Sequence, residues 1–258
     1  MKKKKVVAVI PARMASSRFP GKPLVNILDL PLVENVRRRA LLCPRIDDAV
    51  VATCDQSILD MVQSYGGKAV MTANTHERCT DRVEEASHLL DLDIAVIVQG
   101  DEPLFFPEIL ETLVEPLLQD DKLLCTNLLS IIHDESDLSH QDIVKAVINN
   151  QQNVLYFSRA HIPFMRVKAP CPWYRQTGVS AFTKSFLQHF SRLPATPLEI
   201  VESVDLLRIL EHGYSIRGVL CDQITIGVDR PEDVGKVEAI LKSDEKQQSN
   251  YQKITRIA

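Results

Sequence analysis

Val6-Val7-Ala8-Val9-Ile10, followed by Pro11-Ala12-Arg13-Met14-Ala15-Ser16-Ser17-Arg18-Phe19-Pro20-Gly21-Lys22-Pro23-Leu24, is the stretch on which the fold turns. Its first five residues are a β-branched, apolar run that reads as a buried strand. The rest is a polar, basic loop punctuated by prolines and one glycine. A strand emptying into such a loop at the carboxyl edge of an α/β sheet marks the edge where ligands bind in that architecture. Arg13, Arg18 and Lys22 are three cations within ten residues, Ser16 and Ser17 add hydroxyls, and Gly21 lets backbone come close to a ligand. The set suits a polyphosphate, although it matches neither GxxxxGK(S/T) nor GxGxxG. The competing reading is a solvated surface loop that is merely basic.

Working outward, Ala49–Thr53, Lys68–Met71 and Ile94–Val98 repeat the short apolar run. Helical patterns separate these runs: one from Pro31, one from Asp55 ended by Gly66-Gly67, and one from Thr80. This alternation predicts a parallel sheet with right-handed crossovers. Pro107–Leu118 reads as a helix and Leu123–Ile132 as a strand, and Ile143–Ile148 with Val154–Ser158 form a hairpin about Asn149-Asn150. The sheet is therefore mixed, mainly parallel, with an antiparallel annex. Residues 163–175, with three prolines around Arg166, Lys168, Trp173 and Arg175, read as an irregular loop or lid. Thr177–Phe182 and Ser215–Leu220 return to strand, Pro197–Glu211 reads as one amphipathic helix, and Val234–Leu241 closes the chain before a polar tail expected to fray.

Composition narrows the function. The chain has 258 residues, 45% hydrophobic and 25% charged, with a net charge of −4, as in an ordinary globular protein. A slightly acidic whole with one basic loop argues against a nucleic-acid partner, which needs an extended positive surface. No apolar run reaches the roughly 18 to 20 residues a membrane span needs. Lys2–Lys5 precede an apolar run broken by Pro11 and Arg13, so neither membrane insertion nor a signal peptide is expected, and the cytoplasm is the expected compartment. The six cysteines contain no CxxC pair and suggest free thiols.

A second constellation follows the most strand-like run. Gln99-Gly100-Asp101-Glu102-Pro103 puts a carboxylate at the ligand edge, where it can hold Mg²⁺ against phosphates. A plain surface turn is the alternative. Arg78 and Arg82 fall near the start of the third helix, either beside the ligand or on a solvated face.

Ile10-Pro11-Ala12-Arg13 through Pro20-Gly21-Lys22-Pro23-Leu24, Val98-Gln99-Gly100-Asp101-Glu102-Pro103, Tyr156-Phe157-Ser158-Arg159-Ala160-His161-Ile162-Pro163 and Gly227-Val228-Asp229-Arg230-Pro231-Glu232-Asp233 together resemble the 3-deoxy-manno-octulosonate (Kdo) cytidylyltransferase family, in order and over nearly the whole chain. The resemblance implies a three-layer, Rossmann-like α/β nucleotidyltransferase fold with a small dimerisation and sugar-binding annex. It implies one domain over residues 1–242, the annex at about 140–195 and the tail at 243–258. It also implies a homodimer that joins CTP to a 3-deoxy sugar acid, with Mg²⁺ as cofactor, in lipopolysaccharide or surface-polysaccharide precursor synthesis. By motif position, Pro11, Ala12, Arg13, Ser17, Arg18, Lys22, Arg78, Arg82 and Gln99 would hold the nucleotide, and Asp101 and Asp229 the metal. Lys22, Arg13 and Asp101 would act in catalysis, and Gln99, Arg159, Gln176, Phe182 and Asp205 would touch the sugar, with Arg159 on its carboxylate.

The sugar side departs from the family. His-Leu-Gly-Ile-Tyr-Gly-Tyr becomes Gln176-Thr177-Gly178-Val179-Ser180-Ala181-Phe182, and Leu-Glu-Gln-Leu-Arg becomes Val204-Asp205-Leu206-Leu207-Arg208. Ser-Gly-Thr-Glu-Arg becomes Arg78-Cys79-Thr80-Asp81-Arg82. The losses point to a modified acid, such as 8-amino-Kdo or another nonulosonic acid, as the alternative substrate. A non-catalytic nucleotide-sugar-binding regulator is the alternative of another class, and retention of Lys22, Asp101 and Asp229 together argues against it.

Overall fold

The computed structural model describes residues 3–16, 18–167, 170–222 and 226–257. The opening run becomes β1 (Val6–Ala12), buried at every position. After a small hairpin of β2 (Asn26–Ile27) and β3 (Leu30–Pro31) come α1 (Leu32–Leu41), β4 (Asp48–Thr53), α2 (Gln56–Ser64), β5 (Lys68–Met71), α3 (Cys79–Leu89), β6 (Ile94–Ile97) and α4 (Glu108–Gln119). The second half holds β7 (Cys125–Ile131), β8 (Lys145–Ile148), β9 (Val154–Ser158), β10 (Tyr174–Thr183), α5 (Lys184–Phe190), α6 (Pro197–Glu202), α7 (Leu207–Glu211), β11 (Arg217–Cys221), α8 (Pro231–Ser243) and α9 (Glu245–Ile254).

The main sheet has the order β11-β7-β10-β6-β1-β4-β5, with the β8–β9 hairpin attached to β10. β1 runs parallel to β4 and β6, β4 to β5, and β11 to β7, while β10 is antiparallel to both of its neighbours in that order. Alternation along β1 explains the three layers. Val6, Ala8, Ile10 and Ala12 pack with Val33, Val36, Leu110 and Leu113 of α1 and α4. Val7 and Val9 join the opposite core with Val83, Ala86, Phe186 and Leu187 of α3 and α5. Because β1 and β6 are parallel neighbours, the loops leaving them emerge side by side at one sheet edge.

Several expectations change. The helix expected over 197–211 is two, because Ser203 takes a left-handed conformation (φ 52°) that ends α6 and turns residues 203–206 toward the sheet edge. The strand expected from Thr177 begins at Tyr174, so the irregular loop is shorter; Lys168 within it lies outside the described residues. Asp55 occupies the N-cap position of α2 but does not cap it through its side chain; its carboxylate accepts the Met14 N–H at 2.8 Å and steadies the basic loop. The tail expected to fray from Ser243 is instead α9. Asp244 caps it through the Gln247 N–H, and Tyr251 and Ile254 bury against Ile27, Leu30 and Leu32. Gln247 accepts from the buried Arg39 and donates to the Leu104 carbonyl, both at 2.6 Å. Two apolar residues three apart were too sparse a pattern to announce the helix.

Candidate active site

The basic loop is closed by its own backbone. Gly21, at φ 75°, donates its N–H to the Met14 carbonyl at 3.0 Å and caps the short 3₁₀ turn Lys22–Leu24. A side chain at that φ would be strained, so glycine is required where the loop turns back. The turn aims Lys22 across the gap between β1 and β6. Its Nζ lies 2.6 Å from Asp101 Oδ2 and 3.6 Å from Asp229 Oδ1, with the side chain only 12% exposed. Arg18 reaches the same Asp229 carboxylate at 3.4 Å. A hydrogen bond of 2.8 Å from Val228 N–H to the Asp101 carbonyl fixes the 227–229 turn beside the β6 loop. Pro11, Ala12, Arg13, Arg18, Lys22, Gln99, Asp101 and Asp229 thus line one cleft of about 380 Å³. Ser17, expected there, lies outside the described residues.

A second cleft of about 220 Å³ adjoins the first along Cys79 and Gln99, which line both. Gln176, Ser180, Arg159, Asp205 and Leu206 are among its walls. Gln99 Nε2 donates to the Gly178 carbonyl at 3.0 Å. A Cβ on Gly178 would lie 2.4 Å from Gln99 Cγ, so the glycine makes room for that side chain. Asp205 accepts from the Thr80 hydroxyl at 2.8 Å, and Arg78 donates to the Ser203 hydroxyl at 3.2 Å, which ties the start of α3 to the break between α6 and α7. Cys79 is exposed along the seam, yet the protein packed about it and the carboxylates of Asp205 and Asp101 push its thiol up to about 11.

One expected site residue, Phe182, is placed differently, and a second, Arg82, is largely covered. Phe182 is fully buried, pairs with Ala95 of the neighbouring β6 and stacks with Phe186 and Phe190, so it belongs to the core and not to the sugar-facing wall. Ser180, two residues earlier on the same face of β10, lines the cleft, and Phe182 lies further along that face, under the phenylalanines of α5. Arg82 is 3% exposed and commits its Nη1 to the Thr72 hydroxyl at 2.6 Å and the Ala73 carbonyl at 3.3 Å. It braces the loop before α3 and, with Arg13 and Arg78, lines a small pocket beside the basic loop. Ser180, Asn127, Thr80, Cys79 and Ser203 were missed as cleft residues. For Ser180 a signal existed, since it stands where the family stretch carries its first tyrosine.

The donors around Lys22 suit a hard divalent ion. Two carboxylates from separate loops, Asp101 and Asp229, converge on one cationic nitrogen, and they are the residues that would hold such an ion. Among the described residues no group of three or more His, Cys, Asp or Glu side chains converges to hold a metal by itself.

A model of the cytidylyltransferase family matches residues 7–216. The chain belongs to the cytidylyltransferase family. It is 41% identical over 241 residues to the 3-deoxy-manno-octulosonate cytidylyltransferase of Syntrophus aciditrophicus, covering 92% of this chain and 97% of that protein. It is also 41% identical over 243 residues to the 8-amino-3,8-dideoxy-manno-octulosonate cytidylyltransferase of Shewanella pealeana, covering 93% of this chain and 99% of that one. A solved CMP:2-keto-3-deoxy-manno-octonic acid synthetase complexed with CTP superposes with a TM-score of 0.89 at 38% identity, over 93% of this chain and 99% of that one. The three-layer fold expected from the motifs is that of this cytidylyltransferase. No helix among the described residues is long and apolar enough to cross a membrane.

Proposed function

We propose that this cytidylyltransferase transfers CMP from CTP to the anomeric hydroxyl of a 3-deoxy sugar acid of the Kdo type and releases pyrophosphate. The observation that carries this reading is the pair of clefts meeting at Gln99 and Cys79, one lined by Arg13, Arg18 and Lys22, the other by Arg159. The triphosphate lies in the first cleft and the sugar carboxylate pairs with Arg159 in the second. The anomeric oxygen then faces the α-phosphorus across the seam. It forms the new P–O bond as the bond from the α-phosphorus to the bridging oxygen breaks, its hydroxyl proton passes to a cleft carboxylate or to solvent, and pyrophosphate carries away the charge.

In such an in-line displacement, positioning and stabilisation of growing charge matter more than a strong base. Lys22, held low in the cleft by Asp101, meets the charge growing on the departing phosphates, and Arg13 and Arg18 bind the triphosphate. The chain's residues fit Mg²⁺ held by Asp101 and Asp229, which would polarise the phosphates when bound. No histidine lines the phosphate cleft among the described residues, so the carboxylates are its basic side chains.

A second reading concerns the sugar. Arg159 and Asp205 place opposite charges on one cleft, and Ser180 and Leu206 open and dry its wall. That arrangement favours an acid carrying an ammonium group away from its carboxylate, as the name of the Shewanella relative describes. We further propose a cytoplasmic homodimer that supplies a surface-polysaccharide precursor. Apolar side chains on the annex and α6, Leu155, Ile200 and Val201, are 57%, 65% and 82% exposed and support a subunit contact there. The test is pyrophosphate release from each of the four nucleoside triphosphates with Kdo, 8-amino-Kdo and other nonulosonic acids. Release with CTP and a 3-deoxy acid is expected, and none with any such pair would refute the reading.

A further inference from the structure

Lys145, on β8 beneath the second cleft, is fully buried, and the proposed chemistry makes no direct use of it. Its three N–H donors all meet backbone carbonyls: His140 at 2.9 Å, Ile143 at 2.9 Å and Arg159 at 2.7 Å. Burial and the neighbouring Arg159 guanidinium push the ammonium below the ordinary lysine range. A buried ammonium is unfavourable until its partners compensate. A structure that needed only to fill this space would be served as well by methionine.

The three carbonyls explain what the lysine does. Arg159 is gripped at both ends of its backbone, its carbonyl by Lys145 and its N–H by Glu202 Oε2 at 2.9 Å. Its side chain is then aimed by carbonyls on either side. Nε donates to Glu202 O at 2.7 Å, Nη1 to Gln141 O at 2.8 Å and Nη2 to Ser203 O at 3.4 Å. Gln141 belongs to the 140–143 turn whose ends Lys145 holds through His140 and Ile143. Lys145 thus fixes both the backbone of Arg159 and the loop that orients its guanidinium. Glu202 completes the hold, its Oε1 accepting from Ser158 at 2.6 Å. Arginine has five N–H groups, so one remains on each terminal nitrogen. That is the number a carboxylate takes in a bidentate pair.

We infer that Lys145 and Glu202 are positioning residues for the proposed sugar acid, clamping Arg159 so that its two remaining N–H groups face the substrate carboxylate. The inference rests on the assignment of Arg159 to that carboxylate, and the experiment separates the two. Steady-state pyrophosphate release is measured for the full chain and for Lys145→Met, Glu202→Gln and Arg159→Ala, with CTP and whichever of Kdo and 8-amino-Kdo the unmodified protein turns over faster. Lys145→Met and Glu202→Gln are each expected to raise the KM for the sugar acid by about tenfold or more, while the KM for CTP stays within about twofold. A merely structural role would lower active enzyme or disturb both KM values together, and that outcome overturns the inference. If Lys145→Met does not fold, Glu202→Gln carries the test, because the nearly isosteric amide keeps the packing and removes a carboxylate acceptor. An unchanged sugar KM in the folded variants, with a raised one in Arg159→Ala, refutes the clamp and spares the carboxylate assignment. An unchanged sugar KM in Arg159→Ala refutes the assignment itself.

Discussion

Replacing Lys22 by methionine removes the ammonium that Asp101 and Asp229 hold in the phosphate cleft. With the side chain 12% exposed, an effective dielectric of about 20 is appropriate, and a phosphate oxygen at ~2.8 Å then interacts with a unit charge by ~6 kcal/mol. Departure of pyrophosphate adds about a third to a half of a unit charge to the oxygens that Lys22 faces. The transition state therefore gains ~2–3 kcal/mol over the ground state, equal to about 30- to 150-fold in kcat. Folding should suffer little, because Asp101 and Asp229 are 34% and 52% exposed and water takes over much of the lost pairing, leaving a cost under about 1 kcal/mol. The assay is pyrophosphate release with kcat and the KM for CTP resolved separately, alongside a thermal melt. A rise in the KM for CTP with kcat unchanged would make Lys22 a ground-state binder and refute the reasoning.

Asp101→Asn and Asp229→Asn are each expected to cost about 100-fold or more in turnover at ordinary Mg²⁺ with the fold intact, since each replaces a hard anionic donor by a neutral one; near-normal turnover in either removes that residue from the metal site. Gly178→Ala drives a methyl group to 2.4 Å from Gln99 Cγ and should displace that half-open side chain rather than the strand, lowering kcat/KM for the sugar acid by about tenfold at an unchanged melting temperature. Unaltered kinetics would take Gln99 out of the seam's function. Deleting residues 244–258 uncovers Ile27, Leu30 and Leu32 and strips Arg39 of Gln247, a loss of ~5 kcal/mol and about 10–20 °C in melting temperature by calorimetry. An unshifted melt would show that α9 adds nothing to the core.

The first half of the chain was legible because the central strands β1, β4 and β6 are short apolar runs and the helices α1, α2 and α4 begin on a proline or an acidic residue. Lys22 and Asp101 were legible because their loops follow neighbouring parallel strands at one edge, whereas Asp229 was reached by motif position alone and is brought to them by the Val228 N–H bond to the Asp101 carbonyl. What stayed hidden depends on contacts distant in sequence. The break at Ser203 follows no glycine or proline, and is secured by Arg159 and Arg78 from elsewhere in the chain. Phe182 was assigned to the sugar by motif position, whereas it shares a face of β10 with Ser180 and is covered there by Phe186 and Phe190 of α5, which leaves only Ser180 at the cleft. Arg82 lies in the first turn of α3, where one of its terminal nitrogens is claimed by a buried hydroxyl and a carbonyl that no local pattern announces. Lys145 carries no sequence signal as a buried cation, since a lysine in an apolar strand reads equally as an edge residue facing water.

The central claim is transfer of a cytidylyl group to a 3-deoxy sugar acid, and the most direct measurement follows the phosphorus. CTP, Mg²⁺ and an equimolar mixture of Kdo and 8-amino-Kdo are incubated with the protein and followed by ³¹P NMR. The expected result is loss of the triphosphate signals with matched growth of pyrophosphate and of one phosphodiester resonance per acid consumed, the 8-amino product leading if Asp205 pairs with an ammonium group. Persistence of CTP with both acids present, in a preparation whose melt shows it folded, would contradict the account.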